Sequence, residues 1–209
     1  MSDLVAYLVA VLLAYLLGSI PFAIVTARWF GLADPRRHGS GNPGATNVLR
    51  GGNKLAALLT LLGDAGKGAL AVALAYAWFG PASTLVYLVA LCAFLGHLFP
   101  VYIGFRGGKG VATAAGILLA LDWMLGLFVV GVWVVVAYMF RYSSLAAVSA
   151  ALAAPLYLFF TLKVMDGSLA LVMCMSFLLL FRHRTNLSSL LAGKEDKIGQ
   201  RGQIEKRKR

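Results

Sequence analysis

Acidic residues are scarce: eight Asp and Glu stand among 209 residues, against 19 Lys and Arg. Charged residues of both signs make up only 13% of the chain, while 60% is apolar. A soluble domain carries about 25% charged and roughly 45–50% apolar residues. Composition therefore excludes a water-soluble globule and, equally, a disordered chain. Cysteine is nearly absent. Cys92 and Cys174 both sit inside apolar runs with no metal-ligand or disulfide spacing, so they read as small buried hydrophobes and a disulfide-stapled fold is excluded. No cluster of metal-ligating residues stands out, and no metal or cofactor is expected. The net charge of +11 would suggest nucleic acid in a soluble protein. With this apolar excess the expected partner is a membrane, its anionic headgroups or an anionic substrate facing the basic residues.

Long apolar runs are what the chain has instead. About 20 apolar residues cross the hydrocarbon core as a helix. Leu4 to Ala27 carries no charge and is the first expected span; it is too long for a signal-peptide core and no basic segment precedes it. Leu55 to Phe79 is the second, although it contains Asp64 and Lys67. A turn at Gly80-Pro81-Ala82-Ser83 leads into Thr84 to Ile103. Val111 to Phe140 is interrupted only by Asp122, and Leu145 to Leu162 and Ser168 to Phe181 follow.

The run from Val111 to Phe140 decides the topology. Lys and Arg collect on the cytoplasmic side of a membrane. If the run turns back at Leu121-Asp122-Trp123, one side holds Arg28, Arg36, Arg37, Arg50, Lys54, Arg106, Lys109, Arg141 and the whole basic C-terminus, and the other holds only Lys163. A single tilted helix would divide these charges poorly. The expectation is an all-α integral membrane protein of about seven spans, with the N-terminus, Asp3, Asp122 and Asp166 outside and the C-terminus cytoplasmic. Residues 1–193 read as one membrane domain, and 194–209 as a charged, solvated or surface-bound tail.

Chemistry is expected in the cytoplasmic segments. The first runs from Arg36 to Gly52. Its glycines, with Asn42, Pro43 and Asn47, permit tight turns that expose successive backbone N–H groups, which bind anions. Ser40, Thr46, Asn42 and Asn47 add neutral donors, and Arg50 adds a bidentate phosphate clamp. The second segment, Phe105 to Thr113, places Gly107, Gly108 and Gly110 around Lys109 directly before a helix, where N–H groups and the positive dipole end favour an anion. It lacks Walker spacing, as does Gly63 to Gly68, so nucleotide hydrolysis is unsupported. The third, Phe181 to Leu187, holds His183, able to bind an anion or move a proton, and Asn186 three residues on, sharing its face if the helix continues. Arg182 and Arg184 read as interface anchors. Asp64 and Lys67 are spaced to pair within one helix, either as a functional site or as a structural ion pair. His97, in Gly96-His97-Leu98-Phe99-Pro100, is open to a structural hydrogen bond or a chemical role, and Arg141-Tyr142-Ser143-Ser144 reads as a cap for the next helix.

These segments together resemble the bacterial acyl-phosphate-dependent glycerol-3-phosphate acyltransferases, the PlsY family. The likeness runs from about Leu4 to Gly193, with Glu195 at its limit, and is most specific in Gly39 to Arg50 and Gly107 to Thr113. It implies an inner-membrane enzyme with a cytoplasmic active site, moving a fatty acyl group from acyl phosphate to the sn-1 hydroxyl of glycerol 3-phosphate. The products are lysophosphatidic acid and phosphate, at the first step of phospholipid synthesis. Ser40, Arg50, Lys109, His183 and Asn186 are the implied catalytic residues; Gly41, Asn42, Asn47, Gly107, Gly108, Gly110, Thr113, Lys67 and His97 are expected at the substrate phosphates. The other large class of glycerolipid acyltransferases places Asp five positions after a His. Here Pro43, Tyr102 and Ser188 follow His38, His97 and His183 at that distance. The competing function is a transporter of a phosphorylated anion, which would place polar groups near the bilayer midplane. The expected partners are the two substrates and membrane lipids, with no nucleic acid; oligomeric state is not legible.

Overall fold

The computed structural model describes residues 3–161 and 167–199. Lys163 and Asp166, used above to argue topology, lie outside the described residues. The described chain is helical, with no strand. Helices α1 (Asp3–Gly18) and α2 (Phe22–Trp29) meet at a 42° bend. Pro21 causes it: proline has no N–H to continue the helix and disfavours helical backbone at the residue before it. The break leaves the Ile20 carbonyl without its helical partner, and the buried Lys67 ammonium donates to it at 2.8 Å. A short α3 (Ala45–Arg50) precedes α4 (Lys54–Phe79), whose first turn is capped by Asn53 accepting from the Ala56 N–H at 2.9 Å. Then come α5 (Leu85–Leu98), α6 (Val111–Leu121), α7 (Trp123–Phe140), α8 (Ser143–Thr161), α9 (Gly167–Arg182) and α10 (Arg184–Leu191). The last two are bent by 56°.

The chain does break within the run from Val111 to Phe140. Asp122 ends α6, and its Oδ1 accepts the N–H groups of Met124 and Leu125, at 2.9 and 3.2 Å, to start α7. The chain reverses there, since Gly126 lies on the backbone of Leu119. α6 has 11 residues, about 16 Å at the usual rise, roughly half of an ~30 Å hydrocarbon layer. Among the described residues, four helices are long and apolar enough to cross a membrane, and up to six spans result if each bent pair counts as one.

Lipid is as apolar as leucine, so close backbone approach and dispersion hold such helices together. Small residues mark every tight crossing. Gly18 lies on Ala93 and Gly96 on Tyr15 where α1 meets α5; Gly68 lies on Thr113 and Gly116 on Ala65 where α4 meets α6. A stripe of buried alanines (146, 147, 150, 151 and 154) lets α8 pack closely against α7 and α9. Large side chains face outward instead, among them Leu8, Leu62, Val135, Tyr138, Phe160 and Phe177, as a lipid-solvated surface requires.

A methyl group at Gly116 would collide with the Ala65 carbonyl, whereas Gly131 has open space. Gly116→Ala should therefore destabilise the detergent-solubilised protein by about 1–3 kcal/mol, and Gly131→Ala should not. Thermal unfolding of the two variants side by side checks this.

Candidate active site

The first glycine-rich loop is built around one side chain. Asn47, buried on the first turn of α3, donates from Nδ2 to the carbonyls of Pro35 and His38, at 2.6 and 3.1 Å. Its Oδ1 accepts the Ser40 N–H at 3.2 Å. Gly39 turns with φ +56°, and a methyl there would strike Asn47 Oδ1. The loop is thus wrapped on Asn47, and this presents Ser40, Gly41 and Asn42 to a cavity.

The second loop lies on the end of α5. The Gly108 N–H donates to the His97 carbonyl at 3.2 Å, and the Phe105 N–H to the Pro100 carbonyl at 2.9 Å. Added methyl groups would drive Gly107 into the His97 carbonyl, Gly108 into the His97 ring and Gly110 into Phe94. Gly110 is also left-handed, φ +86°, where it turns the chain into α6. These glycines serve close packing. The backbone N–H groups of Gly107, Lys109 and Gly110 donate to no acceptor among the described residues, as an anion-binding turn requires.

Both loops and the start of α10 surround one cavity of about 800 Å³. Eight basic side chains line it (Arg36, Arg37, Arg50, Arg106, Lys109, Arg182, Arg184 and Lys194) against three acidic ones, Asp34, Glu195 and Asp196. Asp34 pairs with Arg36 at 2.7 Å, and that contact holds its carboxyl down at about 2. Arg50 Nη2 donates to the Asp196 carbonyl at 3.3 Å and lies 3.8 Å from its carboxylate, while Arg50 Nε is buried with no partner. Lys109 donates to Asn186 Oδ1 in a short hydrogen bond, and Asn186 Nδ2 donates to Glu195 Oε1 at 2.8 Å. The Ser144 hydroxyl donates to the same Glu195 oxygen at 2.7 Å. Burial lowers the Lys109 pKa to about 8; Glu195 opposes that shift, and Arg50 and Arg182 add to it.

Of the residues expected from sequence, Ser40, Gly41, Asn42, Arg50, Gly107, Lys109 and Asn186 line the cavity. Others do not. Lys67 is sealed in the bundle, 2.8 Å from Asp64 Oδ1 and bonded to Ile20, so it is a structural ion pair and no phosphate ligand. His97 is likewise buried, its Nδ1 3.4 Å from Asp64 Oδ1, and it supports the glycine turn from behind. Asn47 spends its amide on the loop backbone. Thr113 is fully buried against Gly68, and Gly108 and Gly110 stand behind the lining. His183 is buried too, its Nδ1 2.9 Å from the Leu179 carbonyl. That carbonyl can only accept, so the neutral ring carries its proton on Nδ1 and leaves Nε2 bare.

Sequence reasoning misplaced three things. Ser144 is no helix cap; it reaches Glu195. The tail does not leave the protein at Gly193: Lys194–Gly199 folds back, with the Ile198 N–H on the Arg141 carbonyl at 2.6 Å. Arg182 is more than an interface anchor, since its guanidinium bonds the carbonyls of Gly107 and Gly108. The one signal for the tail was Glu195, which with Asp196 forms an acidic pair between Lys194 and Lys197.

Glu195→Gln keeps an acceptor for Ser144 and Asn186 but removes the charge that raises the Lys109 pKa. Lys109 should then lose its proton below pH 8. The pH midpoint of amine-selective labelling at Lys109, followed by mass spectrometry, should move down; an unchanged or higher midpoint contradicts this electrostatic assignment.

The site can be set beside known proteins. A family model described as Glycerol-3-phosphate acyltransferase matches residues 8–193. The glycerol-3-phosphate acyltransferase of Ralstonia pickettii (strain 12J) is 56% identical over 205 residues, covering 96% of this chain and 98% of its own. That of Cupriavidus necator (strain ATCC 17699) is also 56% identical over 205 residues, covering 95% of this chain and all of its own. Among solved structures, the glycerol 3-phosphate form of PlsY, an integral membrane glycerol 3-phosphate acyltransferase, is 40% identical with a TM-score of 0.87, covering 93% of this chain and 96% of its own. Its lysophosphatidic acid form gives 39% and 0.85. An identity of this extent, spanning the membrane helices and both glycine-rich loops, establishes that the chain belongs to the glycerol-3-phosphate acyltransferase family.

Proposed function

We propose that this protein transfers a fatty acyl group from acyl phosphate to the sn-1 hydroxyl of glycerol 3-phosphate, releasing lysophosphatidic acid and phosphate at the first step of phospholipid synthesis. The observation that carries this reading is a cavity at one end of an apolar bundle, lined by eight basic side chains against three acidic ones. Both substrates carry phosphate, and the donor also carries an apolar tail best delivered from the bilayer. Lys109, Asn186 and the free N–H groups of the glycine turn hold one phosphate; Arg50 with Ser40 holds the other. The relatives support the acceptor: PlsY was solved in a glycerol 3-phosphate form and a lysophosphatidic acid form.

The chemistry asks little of the protein. Acyl phosphate is a mixed anhydride with a good leaving group, so positioning and charge neutralisation supply the acceleration. The acceptor hydroxyl oxygen bonds the acyl carbon, the carbon–oxygen bond to phosphate breaks, and phosphate leaves with the electron pair. His183 stands behind the cavity wall and Glu195 is engaged by Ser144 and Asn186. A phosphate oxygen of a substrate therefore takes the hydroxyl proton. No residue is assigned as an acylated nucleophile.

The working topology is seven spans, counting each bent pair as one and α6 as a short span, in the inner membrane, with the N-terminus outside and the cavity and C-terminus cytoplasmic. Residues 1–193 form the membrane domain, and the tail from 194 completes the cavity rim. A transporter needs a polar passage through the apolar layer; Asp64 and Lys67, the charges within the bundle, are sealed against each other.

Purified protein in lipid should form lysophosphatidic acid from acyl phosphate and glycerol 3-phosphate, with no turnover of acyl-CoA and no effect of a chelator. Losing a charge-assisted contact to phosphate costs about 1.5–3 kcal/mol. Lys109→Ala and Arg50→Ala should thus lose at least about tenfold in kcat/KM while inserting normally. Arg50→Lys should also be impaired, because it lacks the planar fork. Parental kinetics in all three variants would refute the site.

Topology is checked separately. On a background with Cys92 and Cys174 replaced by alanine, Trp123→Cys should react with an impermeant thiol reagent in cells with a permeabilised outer membrane, and Arg106→Cys should not. Labelling only at position 106 would invert the orientation.

A further inference from the structure

Arg182 makes more contacts with the glycine turn than any role as a membrane anchor requires. Its Nη2 donates to the Gly107 carbonyl at 2.7 Å and to the Gly108 carbonyl at 3.0 Å; Nε donates to the Gly108 carbonyl at 3.1 Å. The guanidinium also stacks over the Phe99 ring, 5.7 Å from its centroid, a favourable site for a planar cation. Phe99 is fixed in turn, since the Tyr15 hydroxyl donates to its carbonyl at 2.6 Å.

A trans peptide points its carbonyl and its N–H in opposite directions. The peptide joining Gly107 to Gly108 is therefore gripped at both ends: Arg182 holds the carbonyl and the His97 carbonyl holds the N–H at 3.2 Å. The next peptide, from Gly108 to Lys109, is held by two guanidinium donors, which fixes the plane from which Lys109 departs. Glycine needs such restraint more than other residues, because its backbone has the most freedom to lose. The contact has an electrostatic consequence too. Two carbonyl oxygens at the rim of a phosphate site would repel an anion, and a cation caps both.

We infer that Arg182 is a positioning residue: it clamps the Gly107–Lys109 backbone against His97 and Phe99 and so holds Lys109 and the free N–H groups in the geometry that receives a phosphate. The inference rests on the acyl-transfer reading for its kinetic consequence, but not for its structural one. Arg182 acts through the turn and touches no reacting atom.

The test uses the full-length protein in lipid with Arg182→Lys and Arg182→Gln. Hydrogen exchange is followed in the substrate-free state over the peptide containing Phe105 to Gly110, and initial rates are measured against each substrate in turn. Both variants should accelerate exchange of the hydrogen-bonded Gly108 amide in that peptide by about tenfold or more, since opening no longer breaks the clamp, with α4 and α8 unchanged. Both should raise KM for one substrate by about tenfold and leave KM for the other near parental. The lysine variant should resemble the glutamine variant, because one ammonium cannot hold two carbonyls as a planar fork does. Gly108→Ala, which pushes the turn off His97 from the other side, should reproduce the exchange pattern with Arg182 intact. Unchanged exchange in both Arg182 variants overturns the clamp. Activity restored by lysine with unchanged exchange would make Arg182 a direct charge contact instead, which also overturns it. Accelerated exchange in a protein that shows no acyl transfer from acyl phosphate would leave the clamp standing and remove the acyl-transfer reading.

Discussion

Gly108 donates its N–H to the carbonyl of His97 and lies so close over that residue's ring that a methyl group has no room. The rest of the site is arranged around this contact. It lays the turn from Phe105 to Gly110 flat on the end of α5, which brings Lys109 to the cavity and starts α6 from a left-handed glycine. α5 is itself fixed where Gly96 meets the backbone of α1 at Tyr15 and where the Tyr15 hydroxyl meets Phe99. Behind His97 stand Asp64 and Lys67, and Lys67 reaches the Ile20 carbonyl at the bend beside Pro21. A bend made by one proline near the N-terminus is thereby tied to a turn 87 positions later through buried polar contacts.

Crowding cations around one cavity is costly unless something answers their charge. The protein answers in part. Asp34 takes Arg36, Asp196 approaches Arg50, and Glu195 lies close enough to Lys109 to oppose the lowering of its pKa by burial. The remaining excess of basic over acidic side chains, and the unpartnered Arg50 Nε, are what an incoming dianion would meet. Preorganised positive charge in a partly dry cavity is worth far more than in water, because nothing has to reorganise when the substrate charge develops.

Much of this was legible in the chain. Asp122 in a long apolar run marked a turn because a short acid caps a helix better than it sits within lipid. Two glycine-rich segments with cations marked the cavity because few loops combine those residue types. The internal contacts were not legible. Asn47 carries as many donors and acceptors as a phosphate ligand would, and only the fold shows them consumed by Pro35, His38 and Ser40. Lys67 and His97 are ligand types by chemistry, yet the bundle seals them. Glu195 meets Ser144 across 51 positions, a pairing that no local pattern encodes, and so the tail read as solvated or surface-bound.

The central claim is that a phosphate binds against Lys109, and proton uptake tests it most directly. The substrate-free ammonium titrates near pH 8, and a bound dianion would raise that value by favouring the charged form. Calorimetric titration of glycerol 3-phosphate near pH 8, in buffers of different ionisation enthalpy, should show net proton uptake on binding. Lys109→Arg, charged throughout this range, should bind with none. Binding at pH 8 with no proton uptake in the parent protein would contradict the account.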